Sequence, residues 1–212
     1  MNIFLENMLL RYPSLKICVG DIEKAFDLCC QAFTNNDVLF TCGNGGSASD
    51  ADHICGELLK GFLLKREIPE DVKEEFVERF SEEGEFISER LQRGLKAVSL
   101  TGHPALSTAF ANDVEASLIF AQQMYALGNK GDVVIGLSTS GNADNIYKCF
   151  QVAAVKGVKT ILLTGRDGGK CGKIADISII VPEEETYKIQ ELHLPIYHTL
   201  CLMLEDYFYG QK

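Results

Sequence analysis

Residues 37–49 read DVLFTCGNGGSAS, a short apolar run that leads directly into a glycine-rich turn. The run from Asp37 to Cys42 is typical of a buried β-strand, and Gly43 ends it. Residues 47–64 have helical spacing, so the turn opens a helix. Strand, tight turn and helix in this order are typical of an α/β protein with a parallel sheet.

The same order recurs along the rest of the chain. Further strands are predicted at residues 96–100, 132–137, 159–163 and 177–181. Further helices are predicted at residues 13–35, 104–111, 114–127, 142–156 and 186–209, the last with a kink at Pro195. Continuously apolar strands belong in a sheet that is covered on both faces. The sequence therefore predicts a three-layer α/β/α sandwich with a five-stranded parallel sheet, in a single domain over residues 1–212.

Residues 63–94 form a densely charged stretch between the first and second predicted strands. Apolar residues recur within it at near-helical intervals, which predicts two amphipathic helical pieces broken near Gly84 rather than disorder. We expect a helical insertion at residues 63–94 that acts as a subunit contact, because its apolar spacing needs a surface to pack on. A lid and an inert insertion are the alternatives.

Composition and charge disfavour several classes of partner. Hydrophobic residues make up 46% and charged residues 24% of the chain, as in soluble globular domains, and no apolar run is long enough to span a bilayer. The net charge of −10, without a local basic patch, disfavours nucleic acid and anionic lipid. The eight cysteines contain no CxxC pair, and the N-terminus lacks a signal-peptide pattern. We expect a cytoplasmic protein with buried, reduced thiols.

Two turns that follow predicted strands are rich in glycine and small polar side chains. Their residues are Asn44, Gly45, Gly46 and Ser47 in the first turn, and Ser138, Thr139 and Ser140 in the second. Each turn leads into a helix, whose N-terminal N–H groups and dipole favour an anion. Because ligands bind beyond the carboxyl ends of parallel strands, the two turns can converge on one phosphate group.

Two other interpretations of these turns remain open. The Ser and Asn residues could serve only as helix N-caps, and the glycines only as turn formers. In addition, Gly43, Gly45 and Ala48 fit the dinucleotide fingerprint G-x-G-x-x-A. That fingerprint expects an acidic residue at the end of the next strand, about 20 positions on, to hold the ribose. Residues 99–102 contain no carboxylate, so no nucleotide cofactor is expected.

Four polar side chains on two predicted helices are candidates for chemistry. His53 and Glu57 lie one turn apart on the helix after the first strand, and Gln190 and His198 share one side of the last helix. Two imidazoles, a carboxylate and an amide can bind a metal ion such as zinc. A carboxylate and an imidazole facing one substrate can instead act as base and acid. Periodicity does not show whether the two helices meet.

Five blocks of sequence, in order, resemble the sugar isomerase (SIS) superfamily, and within it the phosphoheptose isomerases. The blocks are CGNGGSASDADHICGEL (42–58), FANDV (110–114), GLSTSGN (136–142), LTGRDGGK (163–170) and IQELHLPIYH (189–198). The resemblance implies a doubly wound, flavodoxin-like fold and a homotetramer with sites shared between subunits. It implies an aldose–ketose isomerase that converts sedoheptulose 7-phosphate to D-glycero-D-manno-heptose 7-phosphate through an enediol.

The resemblance also assigns roles to particular residues. It implies Glu57 as the catalytic base and His198 as the acid. It implies possible zinc ligands at His53, Glu57, Gln190 and His198. The substrate-binding residues that it implies are Asn44, Gly45, Gly46, Ser47, Asn112, Asp113, Ser138, Thr139, Ser140 and Gln190.

The chain departs from the resembling family at three places. Ala143 stands where many members have a serine, and loss of one neutral hydrogen bond would cost about 0.5–1.5 kcal/mol. Tyr187 stands where some members have a carboxylate, and residues 63–94 lengthen the segment before the second strand. These differences leave the exact sugar phosphate open.

Two further classes of function compete with the isomerase. A non-catalytic SIS-fold protein, such as a regulatory tetramer of the replication-initiation type, would bind sugar phosphate without turnover. Such a module has no need of a paired base and acid, so Glu57 and His198 favour the enzyme. A nucleotide-binding oxidoreductase is disfavoured by the missing ribose carboxylate.

Overall fold

The chain forms a five-stranded parallel β-sheet, seen in a computed structural model that describes residues 2–210. The strands are β1 (Leu39–Gly43), β2 (Ala97–Ser99), β3 (Val133–Leu137), β4 (Lys159–Thr164) and β5 (Ile177–Ile180). Their order is β2-β1-β3-β4-β5, and every neighbouring pair is parallel. The predicted α/β fold is confirmed; residues 1, 211 and 212 of the predicted domain lie outside the described chain.

Helices connect the strands and cover the sheet. They are α1 (Ile3–Arg11), α2 (Val19–Thr34), α3 (Gly46–Leu59), α4 (Glu70–Ser88), α5 (Pro104–Phe110), α6 (Ile119–Leu127), α7 (Asp144–Lys156), α8 (Gly169–Gly172) and α9 (Thr186–Tyr209). The predicted helix at 13–35 begins as a 3-10 helix at Pro13–Cys18. Helix α9 continues through Pro195. Within residues 2–210, no helix is both long and apolar enough to cross a membrane.

Two hydrophobic clusters lie on opposite faces of the sheet. Because strand side chains alternate in direction, Leu39 packs into one cluster and Phe40 into the other. Helices α1, α2, α3 and α9 cover the first face, and α6 and α7 cover the second. All eight cysteines are buried and free, as the sequence predicts. The three layers are therefore held together by two separate apolar cores.

The position of a ligand crevice follows from the strand order. Strand β1 lies between β2 and β3. The chain passes from β1 to β2 at one edge of the sheet and then crosses to β3 on the opposite side of β1, so the strand order reverses at β1. A ligand crevice forms at such a switch point, beyond the carboxyl ends of the strands. Gly43 pairs with Leu137 at these ends, so the two glycine- and serine-rich turns begin side by side.

The charged segment at 63–94 contains one interrupted helix, α4, as the sequence predicts in outline. The break falls at Ser81, which has φ 50° and ψ −128°, three residues before Gly84, so the predicted break near Gly84 is confirmed to within one helical turn. The break divides α4 into a first arm before Ser81 and a second arm after it. Gly84 lies where the second arm approaches the first, since a Cβ there would overlap the carbonyl of Phe76. The glycine therefore permits close packing of the two arms rather than the turn. Phe80 and Phe86 remain 58% exposed.

A buried ion pair anchors the base of this segment to α9. Arg66 and Glu205 are both 1% exposed, and Arg66 Nε donates to Glu205 Oε1 at 2.8 Å. The same carboxylate accepts from the backbone N–H groups of Phe62, Leu63 and Leu64. Burial alone would raise the pKa of Glu205, but these donors and the guanidinium hold it below its usual value.

The Arg66 guanidinium also caps the end of α3. Its Nη1 donates to the carbonyl of Leu58 at 2.7 Å, and its Nη2 donates to the carbonyl of Glu57 at 3.1 Å. The last carbonyls of a helix have no partner within the helix, so a cation there satisfies them and complements the dipole. The pair consequently joins the C-terminal ends of α3 and α9.

We expect Glu205→Gln to lower the free energy of unfolding by about 3–5 kcal/mol, because it leaves the Arg66 charge buried without its counter-ion. Urea unfolding followed by circular dichroism measures this change. Glu75→Gln is the matched control, since it breaks the exposed Glu75–Arg79 pair, which contributes about 0–1 kcal/mol. Equal losses in the two variants would contradict the assignment.

Candidate active site

The turn after β1 forms one wall of the crevice. Gly45 is the N-cap residue of α3 with φ 57° and ψ −123°, a conformation that side chains disfavour. A Cβ on Gly46 would come within 2.9 Å of Gln190 Nε2, so this glycine allows the two helices to approach. Ser47 is buried, and its hydroxyl lies 3.5 Å from Gln190 Nε2. The turn therefore meets α9 as well as the sheet.

The turn after β3 forms the adjacent wall. Ser138 is buried, and the N–H of Gly141 donates to its carbonyl at 2.9 Å, which closes the turn. Ser140 Oγ accepts from the N–H of Asn142 at 3.2 Å. Thr139 offers its carbonyl to the N–H of Gly165, which belongs to the turn after β4. The hydroxyl-bearing turn is thus supported from both sides.

A reciprocal amide pair ties the two walls together. Asn44 Nδ2 donates to Asn145 Oδ1 at 2.9 Å, and Asn145 Nδ2 donates to Asn44 Oδ1 at 2.8 Å. The predicted set of site residues lacks Asn145, which lies three residues after Asn142 in the first turn of α7. Its place in the stretch SGNADN (140–145), close to the serine-rich turn, was the only local indication of a role for Asn145. Its partner Asn44 is 101 positions away in the sequence.

Neither helix that opens at these turns has a side-chain cap. Gly45 and Ala143, the N-cap residues of α3 and α7, form no side-chain cap hydrogen bond. The interpretation of the Ser and Asn residues as N-caps of these helices is therefore wrong. Uncapped N-terminal N–H groups at two adjacent helices suit an anion such as a phosphate group.

Helices α3 and α9 bring three of the predicted chemical groups together. Glu57 Oε1 lies 3.1 Å from His53 Nε2, and His198 Nε2 lies 3.5 Å from the same nitrogen. Lys60 Nζ donates to Glu57 Oε2 at 3.2 Å. Gln190, two turns before His198, lies at the glycine turn instead. The carboxylate and the two imidazoles can thus act on one small molecule.

The environment of His198 favours its neutral form. Burial lowers its pKa, the neighbouring His53 lowers it further, and Glu57 opposes these effects. Phe62 packs edge-on against the ring at a centroid distance of 5.4 Å. A neutral imidazole can both donate and accept a proton, as a group that serves two oxygens in turn must do.

Two buried or half-buried residues extend this cluster and were missed from the sequence. Tyr197 is 1% exposed, and its hydroxyl lies 3.1 Å from His53 Nδ1 and donates to Asp50 Oδ1 at 3.1 Å. Asp50 precedes His53 by about one helical turn, so the spacing alone indicates that the two side chains share one face of α3. Nothing in the local pattern indicates that Tyr197 faces α3.

Asn112 and Asp113 are not brought to this cluster in the single chain. They lie in an exposed turn of π-helix at Ala111–Glu115, where Asn112 Nδ2 donates to Asp113 Oδ1 at 2.8 Å. In the part of the chain that the structure describes, neither side chain hydrogen-bonds to any predicted site residue outside this pair. Tyr187, at the start of α9, is 59% exposed.

The donor chemistry of the cluster fits a zinc ion. His53 Nε2, His198 Nε2 and a Glu57 oxygen lie close together, and imidazole and carboxylate are common zinc ligands. Between residues 2 and 210, however, no three His, Cys, Asp or Glu side chains are arranged as a ready-made metal site. Glu57 Oε1 instead lies 3.1 Å from His53 Nε2.

A cavity of about 420 Å³ borders His198. It is mainly apolar and is lined by α1, by Phe62 and Leu63, and by part of α9, with Arg11 as its one cationic side chain. None of the residues of the two turns lines it. The cavity therefore adjoins the His–Glu–His cluster but is separate from the two glycine- and serine-rich turns.

Two adjacent turns that suit an anion, next to a His–Glu–His cluster at the switch point of a parallel sheet, define a class of α/β phosphate-ester-binding proteins. Comparison with known proteins narrows that class. Residues 91–205, more than half of the chain, match the SIS domain family. The chain belongs to this family.

Relatives with clear sequence similarity to the chain are named phosphoheptose isomerase. The protein from Helicobacter pylori strain P12 is 38% identical over 187 residues, covering 88% of this chain and 84% of its own. The protein from Akkermansia muciniphila is 31% identical over 214 residues, covering 99% of this chain and 100% of its own. The chain thus groups with the phosphoheptose isomerases of the SIS family.

Solved structures agree with this grouping. Phosphoheptose isomerase from Neisseria gonorrhoeae is 31% identical with a TM-score of 0.75, covering 96% of this chain and 95% of that one. The enzyme from Francisella tularensis is 29% identical with a TM-score of 0.77, covering 95% and 94%. The predicted family and fold are confirmed.

His193, between Gln190 and His198 on α9, has a different environment. It is completely buried, and neither ring nitrogen has a hydrogen-bond partner in the described chain. The backbone of Thr164 is nearby but outside hydrogen-bonding geometry. Burial lowers the pKa of His193 to about 4, from an ordinary value of 6.5. The residue is therefore a neutral core histidine rather than part of the cluster.

We expect His193 to destabilise the folded state in acid. Between pH 6.5 and 4 the unfolded chain binds a proton at this residue that the folded chain does not, so stability falls as the pH falls, by about 3 kcal/mol in total. Urea unfolding of wild type and His193→Leu at pH 7 and pH 4 measures the effect. The variant should lose less stability by about this amount, and parallel losses would contradict the prediction.

Proposed function

We propose that this protein is an aldose–ketose isomerase that converts sedoheptulose 7-phosphate to D-glycero-D-manno-heptose 7-phosphate. The observation that carries the proposal is the contact between His53 and Glu57 on α3 and His198 on α9, next to two turns suited to a phosphate group. Membership of the phosphoheptose isomerase group supports the substrate.

The substrate is held by its phosphate end in this proposal. N–H groups at the starts of α3 and α7, with the hydroxyls of Ser47, Ser138, Thr139 and Ser140, donate to the phosphate oxygens. These donors are local, so the net charge of −10 does not prevent binding. Ala143 supplies no hydroxyl, which leaves the backbone and the three preceding hydroxyls to bind the anion.

The reaction moves one hydrogen between neighbouring carbons. Glu57 removes a proton from C1 of the ketose as the C1–H electrons form a C1=C2 double bond, and His198 protonates O2. The resulting enediol loses its O1 proton to His198, and Glu57 returns its proton to C2. The aldehyde forms at C1, and both side chains regain their starting states. No other reactant is needed.

The competing class, a non-catalytic sugar-phosphate-binding protein, is less well supported. Such a protein needs the anion-binding turns but not a carboxylate held 3.1 Å from one imidazole and close to a second. Only 13% of the Glu57 side chain is exposed, and burial of a carboxylate costs desolvation energy, so its presence next to the crevice favours catalysis.

We propose in addition that the site binds zinc. His53, Glu57 and His198 would supply the ligands, and Gln190 is the amide in reach of α3. Bound zinc would polarise the substrate oxygens as a Lewis acid.

We further propose a cytoplasmic homotetramer in which Asn112 and Asp113 serve a neighbouring subunit. The exposure of these residues and of the apolar Leu106 and Val114, both near them, supports this arrangement. Their segment makes no hydrogen bond to the cluster of its own chain within the described residues.

We expect Glu57→Gln to lower kcat by about 100-fold to 10,000-fold while binding of the sugar phosphate changes little, because the amide keeps the shape but cannot accept the proton. Aldose formation from sedoheptulose 7-phosphate, with pentose and hexose phosphates for comparison, measures turnover; calorimetry measures binding. Glu191→Gln, on the exposed side of α9, is the control and should retain wild-type kcat. Wild-type turnover by Glu57→Gln would refute the assigned base.

We expect protein purified without chelator to contain about one zinc ion per site and to lose activity on chelation, regained when zinc is added back. Metal analysis and isomerase assays on the same samples measure this. His103→Gln controls for loss of an imidazole away from the cluster, since His103 contacts Gln123. Full activity in metal-free protein would reject zinc without affecting the acid–base assignment.

A further inference from the structure

A chain of polar side chains extends from His53 away from Glu57. Tyr197 packs edge-on against both imidazoles, with ring centroids 5.5 Å from His53 and 5.0 Å from His198. Its hydroxyl is within 3.1 Å of both His53 Nδ1 and Asp50 Oδ1. Neither Asp50 nor Tyr197 touches the substrate or moves a proton in the mechanism above, so their joint placement needs an explanation.

Counting protons fixes the direction of these hydrogen bonds. The phenol of Tyr197 has a single proton to donate. Burial raises the pKa of Asp50, while the Tyr197 hydroxyl and the nearby His53 favour its ionised form. An ionised carboxylate can only accept, so the phenol donates its proton to Asp50 Oδ1 at 3.1 Å. The lone pair that remains on the phenol oxygen can only accept, so His53 must donate to it from Nδ1.

The consequence appears on the other side of the His53 ring. A neutral imidazole carries one proton, so a proton on Nδ1 leaves a lone pair on Nε2. That lone pair faces Glu57 Oε1 at 3.1 Å and His198 Nε2 at 3.5 Å. The Nε2 lone pair of His53 and the Glu57 oxygen repel each other at 3.1 Å unless a proton or a cation lies between them. The point between the three groups is thus prepared for a positive species.

We propose that Asp50 and Tyr197 are positioning residues that hold His53 as its Nδ1–H tautomer, so that the Nε2 lone pair faces the point shared by Glu57 and His198. The inference rests on the proposed function, in which the point between His53, Glu57 and His198 is where protons are transferred or zinc is bound. In many metal and acid–base sites, a carboxylate that accepts a hydrogen bond from the histidine fixes the orientation and tautomer of the ring. Here a tyrosine is inserted between the carboxylate and the imidazole.

Asp50→Asn gives the sharpest test, because an amide can donate where a carboxylate cannot. An Asn side chain that donates to the Tyr197 oxygen turns the phenol proton towards His53 Nδ1, and the ring then carries its proton on Nε2. Tyr197→Phe removes the link altogether. Tyr125→Phe is the matched control, since Tyr125 is 65% exposed and away from the cluster.

The tautomer is read from the ring ¹⁵N chemical shifts of His53, assigned by comparison with His53→Gln among the four histidines of the chain. We expect Nδ1–H in wild type and Tyr125→Phe, Nε2–H in Asp50→Asn, and a mixture in Tyr197→Phe. Thermal unfolding shows that each variant is folded. Wild type with its proton on Nε2, or Asp50→Asn with an unchanged tautomer, overturns the inference.

Binding and kinetics provide the second measurement. Zinc affinity of metal-free protein, from competition with a chromophoric chelator, should fall by about 10-fold to 100-fold in Asp50→Asn and Tyr197→Phe. With sedoheptulose 7-phosphate, kcat should fall while KM changes little, because the phosphate-binding turns are intact. If wild type does not isomerise the sugar, the proposed function fails, whereas the NMR result still decides the tautomer. Unchanged affinity together with unchanged kcat overturns the positioning role.

Discussion

The site depends on how α3 packs against α9. The two helices contact each other at successive levels in the same direction along each chain: Ser47 with Gln190, then His53 with His198. Ile54 and Ile196, both buried in the same hydrophobic cluster, lie on the core-facing sides of these helices. Each such side chain contributes about 1.5–3 kcal/mol on burial. The positions of the polar groups therefore follow from apolar packing beneath them.

A polar contact completes that packing where α3 ends. Arg66 binds the carbonyls of Glu57 and Leu58 and the carboxylate of Glu205, so the backbone of the proposed base is held by a group anchored to α9. A buried pair of this kind is weak support for net stability, because desolvation offsets attraction. Its geometric effect is clear, since the residue that bears the base cannot move without breaking these bonds. The segment that contains α4 starts from this fixed point.

Local patterns predicted what local physics controls. The strands were predictable because they are continuously apolar. The turns were predictable because glycine and serine directly after an apolar run favour a turn over a continued strand. The exact position of the break at Ser81 was not predictable, because the close approach of Gly84 to the carbonyl of Phe76 depends on how the two parts of α4 fold against each other. The sequence around Arg66 is densely charged and predicts an exposed side chain, but Arg66 is buried against Glu205. Tyr197 joins Asp50 across 147 positions, a distance that periodicity cannot bridge.

Helix geometry also limits the size of the substrate. Gly46 and His53 are seven residues apart on α3, which is about 10 Å at 1.5 Å per residue. The parallel course of α9, from Gln190 to His198, spans about 12 Å. A substrate bound through its phosphate at the N-terminal end must reach past two helical turns before its reacting carbons meet the cluster. This separation favours an extended sugar with several carbons between phosphate and carbonyl over a short one. In the proposed function, α3 thus contributes to the anion site, and α3 and α9 together carry the reacting groups and set their distance from it.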